Sequence, residues 1–416
     1  MKQRDLFDPL RAGPSPAIRL SDEQRLDWLR LIRSESVGPR TFRSLINRFG
    51  GARPALEALP DLLKQAGRTS LRVASRAEAE AEMQAVLKLG GHFIAVGEGD
   101  YPRALAAVDT APPLIAVRGN IAALSRPMVA IVGSRNASAA GSRMAERLAM
   151  VLGQAGLVVV SGLARGIDTH AHDASIFTGT IAVLAGGLAK PYPSENEALL
   201  ARMLEKGCVI SEMPLASEPR ARDFPRRNRI VSGLSLGTIV VEAARRSGSL
   251  ITSRFALEQG REVFAVPGSP LDPRAEGTND LIKSGATMVT TPQDVLEVLS
   301  PMMGTDLASM THLKEGQASL DDEPLWDELD LPDLPAAPAV PRTVTYEVEA
   351  ELDASPEPVA DPVLRVEGLL GPAPIEIDEL VRLAGMDTRA VQAALMELDL
   401  VGRLDRQGGN RVALRF

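Results

Sequence analysis

The chain has 416 residues, enough for two or three folded domains, and 45% of them are hydrophobic. Its single cysteine, Cys208, excludes an internal disulfide and is interpreted as a buried strand residue, and no apolar run is long enough to span a bilayer. We expect a folded, cytoplasmic protein with no secretory leader and no membrane partner. The formal net charge of −8 argues at first against nucleic acid as a partner.

The negative charge is concentrated in one segment. Between Asp306 and Asp361 there are 15 acidic and two basic residues, a net of −13, which leaves +5 for the rest of a chain that carries −8 overall. Eight prolines lie between Pro324 and Pro362. Such a composition buries too little apolar surface to fold, so residues 301–362 are predicted to be a disordered linker. We also hypothesise that this acidic segment competes with DNA for a basic surface and is therefore autoinhibitory.

Residues 1–19 are predicted to be a flexible N-terminus, followed by a helical domain over residues 20–95. Apolar residues recur at helical spacing on both sides of the turn Val37-Gly38-Pro39. Helix, glycine-containing hairpin and helix is the order of helix-hairpin-helix modules, in which the hairpin amides face a DNA phosphate. Because only one hairpin is clear, a helical packing domain without a DNA contact is an alternative of equal weight.

Residues 101–300 alternate short β-branched strands with amphipathic helices. The strands are almost continuously apolar, as in strands buried on both faces, and the alternation predicts an α/β fold with a doubly wound, mostly parallel, Rossmann-like sheet. Ligands of such sheets bind at the carboxyl ends of the strands. Strands are predicted at residues 114–117, 129–132, 158–160, 181–184, 209–210, 238–241 and 263–266, and helices at 139–155, 168–177, 195–205, 226–234, 249–258 and 279–283.

Two glycine-containing loops follow predicted strands at that edge. Gly133-Ser134-Arg135 comes after the second strand, and Ser161-Gly162 begins the loop after the third. Small residues at a strand–helix junction let backbone amides approach an anion, and Arg135 adds positive charge. Neither loop has the spacing of a dinucleotide fingerprint or a P-loop, so no nucleotide cofactor is expected. Plain tight turns are the alternative role of these glycines.

A pair of histidines, His170 and His172, stands beside Asp168 and Asp173 and resembles a metal site. Residues two apart on a helix point to different sides, so the two rings cannot easily ligate one ion. We therefore interpret the histidines as capping or packing residues and expect no metal.

The strongest functional signal is the basic segment from Arg220 to Arg229, which contains five arginines, one aspartate, Phe224 and Asn228. Arginine forks pair with phosphate oxygens, and an aromatic ring gives a base a surface to stack on. The alternative is that these arginines solvate a helix face or pair with nearby carboxylates such as Glu242.

Residues 363–416 are predicted to form a winged helix, with two helices followed by two short strands around Gly408-Gly409-Asn410. The second helix, residues 387–399, carries only Arg389 as a cation against three acidic residues. A helix that reads DNA is normally more basic, so we favour a protein contact or a weak DNA role for this domain.

Taken in order, the motifs of the central region resemble those of the DNA-processing protein A (DprA, or Smf) family. The resemblance is dense between residues 101 and 299. It is carried by Ile131-Val132-Gly133-Ser134-Arg135, Ser161-Gly162-Leu163-Ala164, Tyr192-Pro193, Phe224-Pro225, Arg227-Asn228-Arg229, Ser247-Gly248-Ser249 and Val266-Pro267-Gly268.

The resemblance implies an extended Rossmann fold that binds single-stranded DNA, delivers it to the RecA recombinase in natural transformation, and forms homodimers through this domain. It also implies a SAM-like helix-hairpin-helix unit at the N-terminal side and a winged helix at the C-terminal side. By position in the family's motifs, Arg135 lines a basic pocket, Arg222 contributes to it, and Phe224 moves to contact a base. Lys190 lies near another basic position. The long acidic linker departs from the common pattern.

We therefore predict a nonenzymatic mediator that grips single-stranded DNA in a basic groove, without a cofactor. Two alternatives stay open: a nucleoside monophosphate phosphoribohydrolase-like enzyme, suggested by Glu242 and Pro267-Gly268, and a carrier of a small anion. The predicted DNA-binding residues are Gly133, Ser134, Arg135, Gly162, Lys190, Arg222, Phe224, Arg226, Arg227, Asn228 and Arg229.

Overall fold

The computed structural model describes residues 19–65, 71–303, 361–371, 374–407 and 410–415. These ranges form a helical domain, an α/β domain and a small C-terminal domain. The described residues do not include residues 1–18 of the predicted flexible N-terminus, nearly all of the acidic linker, or Gly408 and Gly409. The autoinhibition hypothesis concerns the linker, so it also falls outside the described residues.

The N-terminal domain has four helices in its described residues, 19–65 and 71–90, and serine side chains cap the start of two of them. Ser21 and Ser75 each accept a hydrogen bond from the backbone three residues later and complete a capping box. The predicted hairpin is present, because Gly38 precedes Pro39 at the first position of the second helix. The helices are α1 (Asp22–Arg33), α2 (Pro39–Phe49), α3 (Ala52–Gln65) and α4 (Arg76–Lys88).

Within the described residues, nine strands form the sheet of the α/β domain. In spatial order they run β1-β2-β6-β5-β4-β3-β7-β8-β9. The pairs β1–β2 and β2–β6 are antiparallel and the other pairs are parallel, which confirms the doubly wound, mostly parallel sheet. The strands are β1 (Gly91–Ala95), β2 (Leu114–Gly119), β3 (Met128–Val132), β4 (Val158–Ser161), β5 (Thr180–Val183), β6 (Cys208–Ser211), β7 (Gly237–Val240), β8 (Glu262–Ala265) and β9 (Thr287–Met288).

Eight helices of the same domain lie along the chain between or after these strands. Each of the six helices predicted from the sequence is present within a few residues of its predicted ends. They are α5 (Arg103–Ala106), α6 (Ala139–Gln154), α7 (Ile167–Ser175), α8 (Glu197–Met203), α9 (Asp223–Leu234), α10 (Gly248–Glu258), α11 (Glu276–Lys283) and α12 (Pro292–Leu299).

Two strands differ from the sequence-based prediction. All five residues of β1 pair with β2, from Gly91 opposite Arg118 to Ala95 opposite Leu114, so the sheet begins inside the stretch assigned to the helical domain. The other missed strand, β9, has two residues. Both lie at edges of the sheet. β9 is short and partly exposed, so its apolar pattern is weak, whereas β1 is buried and directly follows the helical domain in the chain.

Side chains of the central strands alternate between two cores. In β3, Val129 and Ile131 pack with Leu148 of α6, whereas Ala130 packs with Ile230 of α9 on the opposite face. Helices therefore cover both faces, and α9 lies directly against the strand that leads into the Gly133 loop. In β6, Cys208 is fully buried, as predicted, and this burial raises the pKa of its thiol to about 12.

The C-terminal domain is a winged helix, as predicted. Its first hairpin strand begins at Leu404 because Val401 and Gly402 form a turn, with Gly402 at φ 72°. The elements are α13 (Pro362–Leu369), β10 (Ile375–Glu376), α14 (Ile377–Ala384), α15 (Thr388–Leu400), β11 (Leu404–Gln407) and β12 (Arg411–Leu414).

The winged helix is docked on the α/β domain by two arginines. Arg143 of α6 pairs with Glu379 of α14 at 2.8 Å. Arg274 donates hydrogen bonds to the carbonyls of Gly368 and Leu370 at 3.0 and 2.8 Å. None of the helices in the described ranges has the length and apolarity that a membrane crossing needs.

Candidate nucleic-acid interface

A small pocket opens at the carboxyl edge of the sheet. There the loops after β3, β4 and β5 meet the first turn of α9, as the position of ligands in doubly wound sheets leads one to expect. We call it the Phe224 pocket. Its lining residues are Arg135, Gly162, Ala164, Arg165, Ala185, Tyr192, Pro193, Phe224 and Arg227.

Phe224 is the aromatic centre of this pocket. The guanidinium carbon of Arg135 lies 5.2 Å from the centroid of the Phe224 ring, and that of Arg227 lies 5.9 Å from it, both within the range of a cation–π contact. The ring of Tyr192 meets Phe224 edge-on, with centroids 5.9 Å apart and planes at 72°. Two rings and two cations therefore converge at one point of the sheet edge.

The start of α9 places Phe224 there. Asp223 is buried, and its carboxylate accepts a hydrogen bond from the Arg220 amide at 2.9 Å, which turns the chain into the helix. Pro225 occupies the first turn, where the missing N–H breaks no helical hydrogen bond. Arg222 is the N-cap residue of α9 and has an exposed side chain. It lies two residues before Phe224 in the chain.

The two arginines deeper in α9 are buried. Arg227 is 6% exposed and donates hydrogen bonds to the carbonyls of Gly162 and Val183. Burial lowers the pKa of Arg227 to about 10, while the nearby Asp168 opposes that change. Arg227 therefore forms the floor of the pocket, below Phe224, and joins the ends of β4 and β5 to α9.

Arg229 lies outside the pocket and is only 1% exposed. It forms an ion pair with Glu212 and donates to the carbonyl of Thr110. This corrects the prediction of a phosphate contact, because a guanidinium so buried is out of reach of a phosphate. The carboxylate that pairs with Arg229 is Glu212, and not Glu242 as the alternative interpretation suggested.

Gly162 provides space rather than a donor for an anion. Its amide donates to the carboxylate of Asp168 at 3.0 Å, and its carbonyl accepts from Arg227. A β-carbon at this position would collide with the Arg227 guanidinium. The expectation that this amide faces a phosphate is therefore wrong, because the amide is bonded to Asp168, and the glycine makes room for the close approach of Arg227.

The first glycine loop exposes one side chain and packs the others. Arg135 is exposed at the mouth of the pocket. The carbonyl of Ser134 accepts from the Ile167 amide at 3.1 Å, and its hydroxyl accepts from the Asn136 amide at 3.1 Å. A β-carbon on Gly133 would overlap the side chain of Ile167, so this glycine lets β3 and α7 approach.

The remaining predicted residues surround the pocket at different distances. Lys190 is exposed, 3.3 Å from Glu218, and is not among the lining residues. Arg226 is half-buried, 3.6 Å from the carboxylate of Asp223. The side-chain amide of Asn228 accepts a hydrogen bond from Arg227 through its oxygen at 3.1 Å and donates one to the carbonyl of Gly248 through its nitrogen at 3.2 Å. Asn228 therefore connects α9 to α10.

A buried polar cluster lies beneath the pocket. Asp168 accepts from the amides of Gly162 and Ala164, and burial raises the pKa of its carboxyl. His172 is fully buried, with its Nδ1 2.7 Å from the Thr180 hydroxyl, and burial lowers the pKa of its imidazole to about 3. As interpreted from the sequence, His172 is a packing residue.

The other histidine of the pair, His170, lies 2.8 Å from Glu146. Each ring therefore has its own partner, as expected for two residues on different sides of a helix. In the part of the chain that the structure describes, no three His, Cys, Asp or Glu side chains are grouped so that they could hold a metal ion.

Sequence reasoning missed Arg165 and Tyr192 as pocket residues. Arg165 belongs to the second glycine loop and pairs with Glu195, and Tyr192 is 36% exposed beside Phe224. The signal was available, because a cation in a glycine loop and an aromatic ring two residues after Lys190 satisfy the criteria that selected Arg135 and Phe224.

Comparison with known proteins agrees with the domain order. Three family models match: a DprA-like N-terminal HHH domain over residues 22–85, DNA recombination-mediator protein A over residues 92–300, and a DprA winged helix domain over residues 350–410.

Individual relatives are matched over different shares of their own length. The chain is similar to Protein Smf of Escherichia coli (strain K12), with 47% identity over 211 residues, 50% of this chain and 56% of that protein. It is 38% identical over 267 residues to DNA processing protein DprA of Bacillus subtilis (strain 168), 62% of this chain and 90% of that protein. The X-ray structure of DNA processing protein A from Streptococcus pneumoniae superposes with a TM-score of 0.54 at 34% identity, covering 67% of this chain and 98% of that one.

Proposed function

The chain belongs to the DNA-processing protein A (DprA/Smf) family, and from this premise we propose that it binds single-stranded DNA in the Phe224 pocket, as a mediator without catalytic activity. The observation that carries the proposal is the convergence of the Arg135 and Arg227 guanidinium groups on the Phe224 ring, at 5.2 and 5.9 Å. Stacking of a base on an aromatic ring and attraction of its phosphate by arginine are the two interactions that bind single strands without sequence preference.

The geometry favours a single strand over a duplex. A base can stack face to face on an aromatic ring only when it is not stacked between its own neighbours. The bases of a duplex are stacked and paired, so they cannot make this contact. The pocket is too small to admit a base pair, so we propose that a single displaced base meets the Phe224 ring at the pocket mouth. The side chains of Arg135 and Arg222 are exposed, which supports our proposal that they contact the neighbouring phosphates.

We propose further that the bound strand is handed to the RecA recombinase and that the protein acts as a homodimer through its α/β domain, in DNA uptake and recombination. The proposal rests on family membership and on the description of the matching model as a recombination mediator. It predicts that the protein speeds RecA filament formation on single strands coated with single-strand-binding protein. Sedimentation of the full chain at micromolar concentration tests the dimer.

Binding is the direct test. A labelled oligothymidine and a duplex of equal length are titrated with the protein at two salt concentrations. We expect the single strand to bind more tightly, and its affinity to fall as salt rises because counterions are released from the neutralised phosphates. Equal affinity for the single strand and the duplex, or no binding of either, would contradict the proposed function.

The enzymatic alternative depends on Glu242, which has another role in the structure. Its carboxylate accepts hydrogen bonds from the amide and the hydroxyl of Ser138, the N-cap of α6, and it packs against Gly141. Glu242 is not among the residues that line the Phe224 pocket. Incubation with nucleoside monophosphates discriminates the two functions, since release of free base would favour the enzyme.

A further inference from the structure

We infer that the N-terminal helical domain is a positioning element of the Phe224 pocket and that it acts through one ion pair, Arg33–Glu82. The inference rests on the proposed function, because the pocket that is positioned is the proposed DNA site. The positioning itself can be measured without DNA. The residues concerned do not touch the pocket, so their effect must pass through the chain segments that they hold.

The Arg33–Glu82 pair joins the last residue of α1 to the middle of α4. Both side chains are 14% exposed, and the guanidinium donates three hydrogen bonds to the carboxylate at 2.9 to 3.3 Å. A two-pronged arginine–carboxylate contact restricts both side chains more than a single bond does. The pair is therefore a fixed unit of the helical domain.

Each member of the pair also holds the α/β domain. Arg33 donates to the carbonyl of Glu212 at 3.0 Å, and the Glu82 carboxylate accepts from the amide of Leu215 at 3.1 Å. The two hydrogen bonds hold the main chain at Glu212 and at Leu215, on the two sides of the turn that follows β6. Because the contacts are to backbone atoms, they set the path of residues 212–215 regardless of the side chains there.

One route leads from this segment to Phe224. The buried Glu212 carboxylate pairs with Arg229, whose side chain also donates to the carbonyl of Thr110. Arg229 lies in α9, five residues beyond Phe224, and its own carbonyl accepts from Gln259 at 2.9 Å. The position of residue 212 therefore affects the position of the helix whose first turn carries Phe224.

A second route leads to the opposite wall of the pocket. The carbonyl of Leu215 accepts from the amide of Ala189 at 3.0 Å, and the carbonyl of Ser217 accepts from the amide of Gly187 at 2.9 Å. Residues 187–189 lead directly to Lys190 and Tyr192. Both aromatic residues of the pocket thus depend on the segment that Arg33 and Glu82 hold.

Hydrogen exchange of the free protein tests the positioning. We expect Arg33→Ala to increase amide exchange in residues 186–190, 212–217 and the first turn of α9. The matched control is Arg76→Ala, which removes an arginine of the same domain whose ion pairs, within the described residues, are with Glu23 and Glu80. Glu82→Gln, which keeps an oxygen acceptor for the Leu215 amide, should have a smaller effect. Unchanged exchange in these segments in both Arg33→Ala and Glu82→Gln would overturn the inference.

DNA binding provides the functional reading. The wild-type protein should bind an oligothymidine more tightly than an abasic strand of equal length, and Arg33→Ala should reduce that ratio by about 2- to 30-fold, the range for residues that act through others. Its salt dependence should stay unchanged, because no phosphate contact is lost. Greater exchange with an unchanged ratio would also overturn the inference. A wild-type protein that binds neither strand would instead contradict the proposed function, and the exchange data would still decide whether the pair positions the pocket.

Discussion

The guanidinium carbon of Arg135 lies 5.2 Å from the centroid of the Phe224 ring. The two residues come from different strand–helix units: Arg135 follows β3, and Phe224 opens α9. They meet because α9 packs on the face of β3, through Ile230, and its first turn reaches the carboxyl end of that strand. A cation and a ring that are far apart in the chain therefore share one site, and the contribution of each can be tested separately.

Arg135→Ala should weaken binding of single-stranded DNA by about tenfold or more, since a hydrogen bond to a charged group is worth about 1.5 kcal/mol or more. The slope of log Kd against log salt should fall by about 0.7, the value for one phosphate contact. Fluorescence anisotropy at four salt concentrations measures both. Arg147→Ala is the control, because Arg147 is an exposed arginine of α6 that is not among the pocket residues. Equal losses in the two variants would argue against a specific role for Arg135.

Phe224→Ala should weaken binding by about 5- to 150-fold, which corresponds to the loss of about 1–3 kcal/mol of base stacking. The salt slope should stay the same, because stacking releases no counterions. Phe224→Trp should retain most of the affinity. The control is Phe177→Ala, since Phe177 is 86% exposed and is not a pocket residue. If Phe224→Ala binds as tightly as the wild type at every salt concentration, Phe224 does not contact a base.

Arg229→Ala should lower the free energy of unfolding by about 3–5 kcal/mol, because it leaves the buried Glu212 carboxylate without its cation. Urea unfolding followed by circular dichroism measures this loss. Arg222→Ala, a change in the same basic segment at an exposed position, should alter stability by less than about 0.5 kcal/mol and yet weaken DNA binding. The reverse outcome, a stable Arg229→Ala protein with weakened binding, would restore Arg229 as a DNA contact.

The stability of the protein should depend on pH through His172. Burial lowers the pKa of His172 to about 3 in the folded protein, against 6.5 for the ordinary residue. Between these values the unfolded chain binds a proton that the folded chain does not, so stability is lost as pH falls from about 6.5 toward 3. The loss is about 1.4 kcal/mol per pH unit.

Urea unfolding at pH 7.5 and pH 4.5 checks this dependence. The difference in the free energy of unfolding between the two pH values should be smaller for His172→Gln than for the wild type. Comparing the two proteins cancels the titration of Asp168 and Glu212, whose carboxyl pKa values are raised by burial. An identical difference in both proteins would show that His172 is not responsible.

Much of this architecture follows from local patterns in the chain. Continuous β-branched runs predict strands that are buried on both faces, and seven of the nine strands described for the large sheet follow from such runs. The edge strands β1 and β9 do not. β9 has only two residues and is partly exposed, whereas β1 is buried and lies at the end of the stretch whose helical pattern was extended to residue 95. The position of the site at the carboxyl edge also follows, since parallel strands bring their following loops together.

The roles of the individual arginines do not follow from local patterns. Arg222, Arg227 and Arg229 are chemically identical and close together in the sequence, yet one is exposed, one forms the pocket floor and one is buried against Glu212. A run of basic residues indicates that the segment is cationic. The burial of each arginine depends on which face of α9 packs on the sheet and on which carbonyls and carboxylates from distant parts of the chain lie at that face. Those partners, Gly162, Val183 and Glu212, are brought to α9 by the packing of the whole domain. Composition and periodicity therefore determined the kind of fold and the edge that carries the candidate site, while long-range packing decided which of its side chains stay exposed.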